Sequence, residues 1–255
     1  MTIRVGVFGA GGRMGTTVCD AVDADAGLEL VAAVDPSAVG TVRHGITVAA
    51  EPKVLADAGA EVAIDFTVAA AARDNLAWCA LHGVHAVVGT TGLGDDDLRL
   101  LRERFTRSNC LVAANFAISA VLMMRFAEMA APFFDTAEII ELHHDSKADA
   151  PSGTAIVTAE RIAAASSEWA PDPTTHEVVP GARGGTGPAG IHLHSVRMRG
   201  MVAHQEVILG GLGQTLTIRQ DSYDRTSFMP GVVLAAKRIA DLPGLTIGLE
   251  PALGL

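Results

Sequence analysis

The stretch His143-His144-Asp145-Ser146-Lys147-Ala148-Asp149-Ala150-Pro151-Ser152-Gly153-Thr154 puts two imidazoles, an amine and a turn suited to an anion into a short span. Imidazole and ammonium groups are the side chains most used to move protons near neutral pH. The segment follows the apolar run Ala137-Glu138-Ile139-Ile140-Glu141-Leu142, which has strand character. It precedes Ala155-Ile156-Val157-Thr158-Ala159-Glu160-Arg161-Ile162, which has helical spacing. Pro151 sits just before this helix, and Ser152 or Thr154 is placed to cap it. Unsatisfied N–H groups in a helix's first turn attract carboxylates. Proton donors beside an anion site indicate an enzyme acting on a small acid. A single histidine at a strand end is more often structural. Two of them with Lys147 and a Gly-Thr helix start are harder to explain by packing alone. On a regular strand His143 and His144 would face opposite sides, so either the strand ends there or only one faces the site. A metal held by the pair with Asp145 or Asp149 matches no ligand spacing, and no metal is expected.

The elements before this segment alternate. Strand patterns cover residues 3–9, 28–34, 61–67, 85–89 and 110–114, and helix patterns cover 14–22, 70–82 and 95–104, with Gly83 ending the second. Such alternation implies a parallel sheet with helices on both faces. The loop Gly9-Ala10-Gly11-Gly12-Arg13-Met14-Gly15 joins the first strand to the first helix. Glycines there let the backbone approach a pyrophosphate, and Asp35, closing the second strand, is placed to accept from ribose hydroxyls. The loop is one residue longer than the standard G-x-G-x-x-G. Asp35 followed by Pro36 favours NAD, while Arg13 and Arg43 are near enough in sequence to meet a 2′-phosphate. The cofactor expectation is NADH or NADPH, NAD favoured, with dual use allowed. The strand-end turns Gly89-Thr90-Thr91-Gly92 and Ala113-Ala114-Asn115-Phe116 lie where open parallel sheets bind ligands.

After a helix at 154–165 comes a Pro/Gly-rich stretch from 171 to 190, then strand patterns at 191–199, 202–209 and 214–220. Their short glycine-containing connections suggest an antiparallel meander in a second, mixed sheet. A helix at 228–240 and a short strand at 245–249 could return to the first domain.

Composition sets limits. The chain has 255 residues, enough for one large or two small domains. Apolar residues make up 49% and charged residues 19%, with a net charge of −10, which argues against nucleic acid as a partner. Cys19, Cys79 and Cys110 lie in apolar segments and form no CxxC pair, so buried free thiols are expected. No apolar run reaches membrane-spanning length, and the N-terminus enters a strand at once. A cytoplasmic protein without a membrane partner is expected.

The glycine loop, Gly89-Thr90-Thr91-Gly92, Ala113-Ala114-Asn115-Phe116 and the segment Glu141-Leu142-His143-His144 through Lys147 to Ala155 resemble the dihydrodipicolinate (4-hydroxy-tetrahydrodipicolinate) reductase family. The likeness spans nearly the whole chain, including Arg183-Gly184, and is greatest to the actinobacterial branch through residues 202–207 and 224–228. It implies an α/β fold: a Rossmann-type parallel-sheet domain plus a smaller α+β domain with a mixed, largely antiparallel sheet. The expected division is 1–116 with 227–255 for the dinucleotide, and 117–226 for substrate and oligomerisation. The resemblance implies reduction of 4-hydroxy-tetrahydrodipicolinate to tetrahydrodipicolinate with loss of water, in the diaminopimelate route to lysine, by a homotetramer. It places the cofactor on Gly9, Ala10, Gly11, Gly12, Arg13, Met14, Asp35, Gly89, Thr90, Thr91, Ala113, Ala114, Asn115 and Phe116. It makes His143 and Lys147 the proton-donating pair and gives carboxylate contacts to His144, Gly153 and Thr154, with Arg225 a weaker candidate for the second carboxylate of this small dicarboxylate substrate. Two departures stand out: Asp145 and Ser146 where some members carry basic residues, and Asp35-Pro36 in place of an acid-then-arginine pair. The rivals are a nucleotide sensor without catalysis, which has no use for His143 and Lys147, and another oxidoreductase of a small carboxylic acid, which in the aldehyde dehydrogenase case needs a cysteine at a helix start.

Overall fold

The computed structural model of the chain describes residues 2–255. It divides into two compact units, Met1–Ile118 with Arg225–Leu255, and Ser119–Asp224.

The first unit is built on short strands buried on both faces, which is why they read as continuous apolar runs. They are β1 (Ile3–Phe8), β2 (Leu28–Val34), β5 (Val62–Asp65), β6 (His85–Val88) and β7 (Cys110–Val112); β3 (Val42–Arg43) and β4 (Ile46–Thr47) form a separate antiparallel hairpin with no buried residue. The connecting helices are α1 (Arg13–Ala24), α2 (Lys53–Asp57), α3 (Ala69–His82) and α4 (Asp95–Arg104). Gly83, in the left-handed region at φ 73°, ends α3. Acidic residues 95–97 open α4 and Arg102 and Arg104 close it, matching the helix dipole at both ends. Completed by β13 (Leu245–Ile247), the main sheet has the order β13-β7-β6-β5-β1-β2, and every pairing in it is parallel. The order reverses beside β1, so the carboxyl ends of β1, β2 and β5 flank a topological switch point, where open α/β sheets bind ligands.

The second unit begins one residue into α5 (Ile118–Ala130), to which the sequence pattern assigns no element. Its apolar residues run nearly all the way round the helix, burying Ala120, Val121, Met123, Met124 and Ala127 but exposing Phe126 and Met129. Such a helix has no clear 3.6-residue stripe. Next come β8 (Thr136–His143), α6 (Gly153–Ala165), β9 (Gly185–Thr186), β10 (His192–Arg197), β11 (Ala203–Gly211) and β12 (Gln214–Ser222). The sheet order is β12-β11-β8-β10-β9. This corrects the meander expected from the sequence. Of the three strands expected in it, β11 and β12 do form an antiparallel hairpin, but β8 is inserted between β10 and β11, parallel to β10 and antiparallel to β11. The connection after β10 is short enough for a hairpin, but β8 carries the alternating apolar residues Ala137 and Ile139 that belong at the sheet centre.

The chain then returns to the first unit. Helix α7 (Met229–Arg238) is followed by β13 (Leu245–Ile247), which pairs with β7 at the sheet edge, and by the short α8 (Glu250–Leu253). Asn109 fastens this segment: its Nδ2 donates to the Ile239 carbonyl at 2.8 Å and its Oδ1 accepts from Gly244 N–H at 3.1 Å. Gly231 allows α7 to lie against the β7 loop, since a Cβ there would sit 2.1 Å from the Phe116 carbonyl oxygen. Backbone cannot yield as a side-chain tip can. Gly231→Ala should therefore cost about 1–3 kcal/mol, read as a fall in thermal midpoint of roughly 2–4 °C per kcal/mol in a calorimetric scan.

Candidate active site

In the first unit, the candidate cofactor residues gather at the carboxyl edge of the sheet. Gly9, at φ 73°, turns the chain out of β1, with its N–H on the Val34 carbonyl at 2.8 Å. Gly15 gives α1 its close approach, because a Cβ there would lie 1.9 Å from the Gly9 carbonyl oxygen. Gly12 caps α1 without a side-chain hydrogen bond, no acidic residue occupies the first turn, and Arg13 and Met14 begin the helix. Asp35 is locked at the end of β2. Its Oδ2 accepts from Gly11 N–H at 3.0 Å, and its Oδ1 accepts from the Ser37 N–H at 2.9 Å and hydroxyl at 2.6 Å. Burial would raise this carboxyl, but the bonds from Ser37, Gly11 and Gly12 outweigh it and hold Asp35 below the usual carboxylate range. Arg43 folds onto the same loop, with Nε donating to the Ala10 carbonyl at 3.3 Å.

A cavity of about 410 Å³ opens here, bordered by Gly9, Gly12, Asp35, Phe66 and Asn75 among others. Its lining residues Thr67 and Asn75 are bonded to a residue the sequence reading missed. Asp65, buried at the end of β5, accepts from Thr67 N–H and hydroxyl, Thr90 hydroxyl and Asn75 Nδ2 at 2.7–2.9 Å. It thereby fixes Thr90, while Thr91 beside it is exposed. The sign was available: a carboxylate closing an apolar strand. Gly89 leads into this turn from β6, and Ala113 is buried with Ala114 exposed after β7. Asn115 accepts from Ala117 N–H at 2.8 Å, and the Phe116 ring tilts against Phe66 at 5.5 Å.

In the second unit, β8 ends at His143, which decides between the two strand readings: His144 has already left the strand and is exposed, its Nδ1 bonded to Ser146 Oγ at 2.8 Å. His143 lies two residues beyond Glu141 on the same face. Glu141 is fully buried, a residue the sequence reading left as part of the strand. Its Oε2 accepts from His143 Nδ1 and, at 2.9 Å, from Arg197 Nη1. Its Oε1 accepts from Arg197 Nη2 at 2.8 Å and from Ser152 N–H at 3.2 Å. Arg197 stands opposite His143 in the parallel β8–β10 register and also donates to the Asp149 carbonyl at 2.6 Å. Lys147 Nζ in turn donates to both Asp149 carboxylate oxygens, at 2.7 and 2.8 Å. One connected network thus holds both proposed proton carriers. Arg197 had no signal in the sequence, because its role depends on strand pairing.

The helix start is now defined. Ser152, not Thr154, caps α6, accepting from Ala155 N–H at 3.2 Å, and Pro151 stands just before the helix, ahead of the cap. The N–H groups of Gly153 and Thr154 carry no side-chain cap, and nothing stands within 4 Å of a Cβ built on Gly153. That is an open, polar donor pair suited to a carboxylate. Arg225 belongs to the first unit, at the head of a 3-10 turn before α7. Among the described residues no cluster of metal-ligating side chains occurs. Cys19, Cys79 and Cys110 are all free and buried, and burial pushes their thiols up, Cys19 to about 12. None is a thiolate nucleophile of the aldehyde dehydrogenase kind.

Comparison with known proteins agrees with both halves. Residues 3–116 match the family model described as dihydrodipicolinate reductase, N-terminus, and residues 119–253 match dihydrodipicolinate reductase, C-terminus. The chain belongs to the dihydrodipicolinate reductase family. A 4-hydroxy-tetrahydrodipicolinate reductase of Corynebacterium aurimucosum is 51% identical, covering 100% of both chains, and one of Cutibacterium acnes is 51% identical over 99% of both. Among solved structures, a dipicolinate-bound dihydrodipicolinate reductase from Paenisporosarcina sp. TG-14 is 38% identical with a TM-score of 0.89, covering 98% of this chain and 99% of that one. An amine dehydrogenase from Mycobacterium smegmatis, at 13% identity and TM-score 0.66, shares the fold alone. Dinucleotide use by this dihydrodipicolinate reductase family member follows from its first domain.

The electrostatics of the second-unit network make it acid-sensitive. Burial, with help from Lys147 and Arg197, holds His143 below its ordinary 6.5 although Glu141 pulls the other way. Burial would raise Glu141, but bonds from Arg197, Ser195 and His143 prevail and hold it below 4.5. In both cases the unfolded chain binds the proton more readily, so stability is complete above the unfolded value and is lost as pH falls through the folded one. The thermal midpoint should therefore drop in two stages on acidification, the first below pH 6.5 and the second below pH 4.5. His143→Gln should shrink the first stage, to which His85, also held low by burial, still contributes, and leave the second, in scans taken from pH 8 to pH 3.

Proposed function

We propose that this chain reduces 4-hydroxy-tetrahydrodipicolinate to tetrahydrodipicolinate with NAD(P)H and loss of water, in the diaminopimelate route of lysine biosynthesis. This is the reaction for which its 51% identical relatives are named. The observation that carries the reading is local to the second unit: His143 and Lys147, each bonded to a carboxylate, stand in one network with a helix start whose N–H groups are open.

The residues of the first unit suit a dinucleotide. The glycine turn is held so tightly that a side chain at position 15 would collide with backbone, and the cavity beside it is bordered by an ionised Asp35. Gly9–Met14, Asp35, Gly89–Thr91 and Ala113–Phe116 are the residues we assign to holding it. When bound, the cofactor supplies a hydride. In the second unit, Gly153, Thr154 and His144 neutralise a substrate carboxylate by donating N–H and imidazole hydrogen bonds. His143 and Lys147 supply the proton that must reach the ring once hydride has arrived. Arg197 and Asp149 keep that pair in position. The reading includes action in the cytoplasm and a homotetramer; no helix among the described residues is long and apolar enough to cross a membrane, and the exposed Phe133, Leu212 and Leu216 of the second unit support a subunit contact.

For cofactor choice we favour NADH, with NADPH also used. Asp35 is held charged at the carboxyl end of β2, where a ribose hydroxyl can donate to it, and its charge opposes a 2′-phosphate. Asp35→Ala should lower the NADH-to-NADPH ratio of kcat/KM by about 10-fold or more, the worth of one charge-assisted hydrogen bond. Strict NADPH dependence of the unmodified protein would refute the assignment.

The activity itself is tested by following NADH oxidation with enzymatically generated substrate. Lys147→Ala should reduce kcat by roughly 10²–10⁴-fold with a folded, thermally unaltered protein. Near-normal turnover in that variant would remove Lys147 from the chemistry and leave His143 as the sole donor.

A further inference from the structure

Glu141 is the most deeply buried carboxylate in the second unit, and the reaction as described gives it no task. Its surroundings are unusually complete. Arg197 grips both oxygens from the neighbouring strand, Ser152 donates its backbone N–H, and His143 donates Nδ1–H from two residues along the same strand. Arg197 alone balances the charge of Glu141 through a bidentate pair. His143 is therefore not needed as a counter-ion. It can be neutral or charged while its ring stays in place.

From this geometry we infer that Glu141 is a positioning residue of the reaction: it holds His143 in the tautomer with hydrogen on Nδ1, so that the ring exchanges protons with substrate only at Nε2, and through Ser152 it fixes the helix start that receives the carboxylate. The inference rests on His143 being a proton carrier. In the step it serves, the Nε2–H bond of the imidazolium breaks, the proton goes to the substrate ring, and the histidine is left neutral with its Nδ1–H still directed at Glu141. A ring free to choose its tautomer would spend part of its time with the proton on the wrong nitrogen. The same carboxylate ties the proton carrier to the anion turn, so both are placed by a single rigid group.

Two measurements test this. Nitrogen-15 histidine spectra of the unmodified protein should show neutral His143 protonated at Nδ1 and bare at Nε2; the opposite tautomer overturns the inference, and this test needs no variant to fold. The second is kinetic. Glu141→Gln should lower kcat on the order of 10²-fold with a much smaller change in KM. It should also move the descending limb of the kcat–pH profile to lower pH. The groups facing His143 are Glu141 on its own strand, Arg197 from β10 and Lys147 with Asp149 from the loop, while the β11 residue opposite is the uncharged Ala203. Removing Glu141 takes away the anion bonded to the ring, while Asp149 is already paired with Lys147, so the balance facing the ring turns cationic and disfavours the imidazolium. In a His143→Gln background, Glu141→Gln should add little further loss in kcat, because both changes act through one ring. A pH-independent fall that multiplies fully with His143→Gln would show a merely structural carboxylate and overturn the inference. Full turnover in His143→Gln alone would instead overturn the assignment of His143 as a proton carrier.

Discussion

A carboxylate cannot be left unpaired in a dry sheet face, and much of the second unit follows from satisfying Glu141. Its position on β8 is apolar by pattern, flanked on the same face by Ala137 and Ile139. Burial there demands a cation and several donors. Arg197 provides the cation only if β10 runs parallel to β8 in the observed register, which also sets Ser195 beside Glu141. Ser152 provides a donor only if the loop after β8 folds back onto the strand. Strand order, loop path and the start of α6 are thus coupled through one side chain. A slip of one residue in β10 would turn Arg197 to the other face and strand the charge.

The first unit solves a comparable problem at Asp65 and Asp35. Both end strands, both are held by hydroxyl and backbone donors and not by cations, and both keep their carboxylates at the ligand edge of the sheet. The contrast with Glu141 is chemical. Neutral donors leave Asp35 and Asp65 carrying their charge at the sheet edge, whereas an arginine absorbs the charge of Glu141.

Much of this was legible in the sequence. The parallel α/β half, the glycine loop with Asp35, and the loop from His143 to Thr154 are local patterns, set by apolar periodicity and by residues adjacent along the chain. What escaped depended on distant pairing or on absent contrast. Helix α5 lacks a polar face, so its periodicity is muted. The β10–β8–β11 order cannot be inferred from loop lengths, which favoured a meander. Arg197 looks like an ordinary strand-end arginine until β10 is laid beside β8, and Glu141 looks like a surface residue of an amphipathic strand until its face is known. The capping choice between Ser152 and Thr154 turned on where the first helical residue fell, a shift of two positions.

The placement of β13 has a consequence for how the chain is made. The sheet of the first unit is interrupted after β7 by the whole of the second, and its last strand is contributed by residues 245–247. As the polypeptide leaves the ribosome, β7 presents an open hydrogen-bonding edge until some 130 further residues have followed, a wait on the order of ten seconds. Over that interval the exposed edge is a template for mispairing with other nascent chains. The second unit, by contrast, is contiguous and can fold as soon as it emerges. Folding is therefore completed in the order insert first, host last, and the side chain of Asn109, waiting for the carbonyls of Ile239 and Ala240, closes the host.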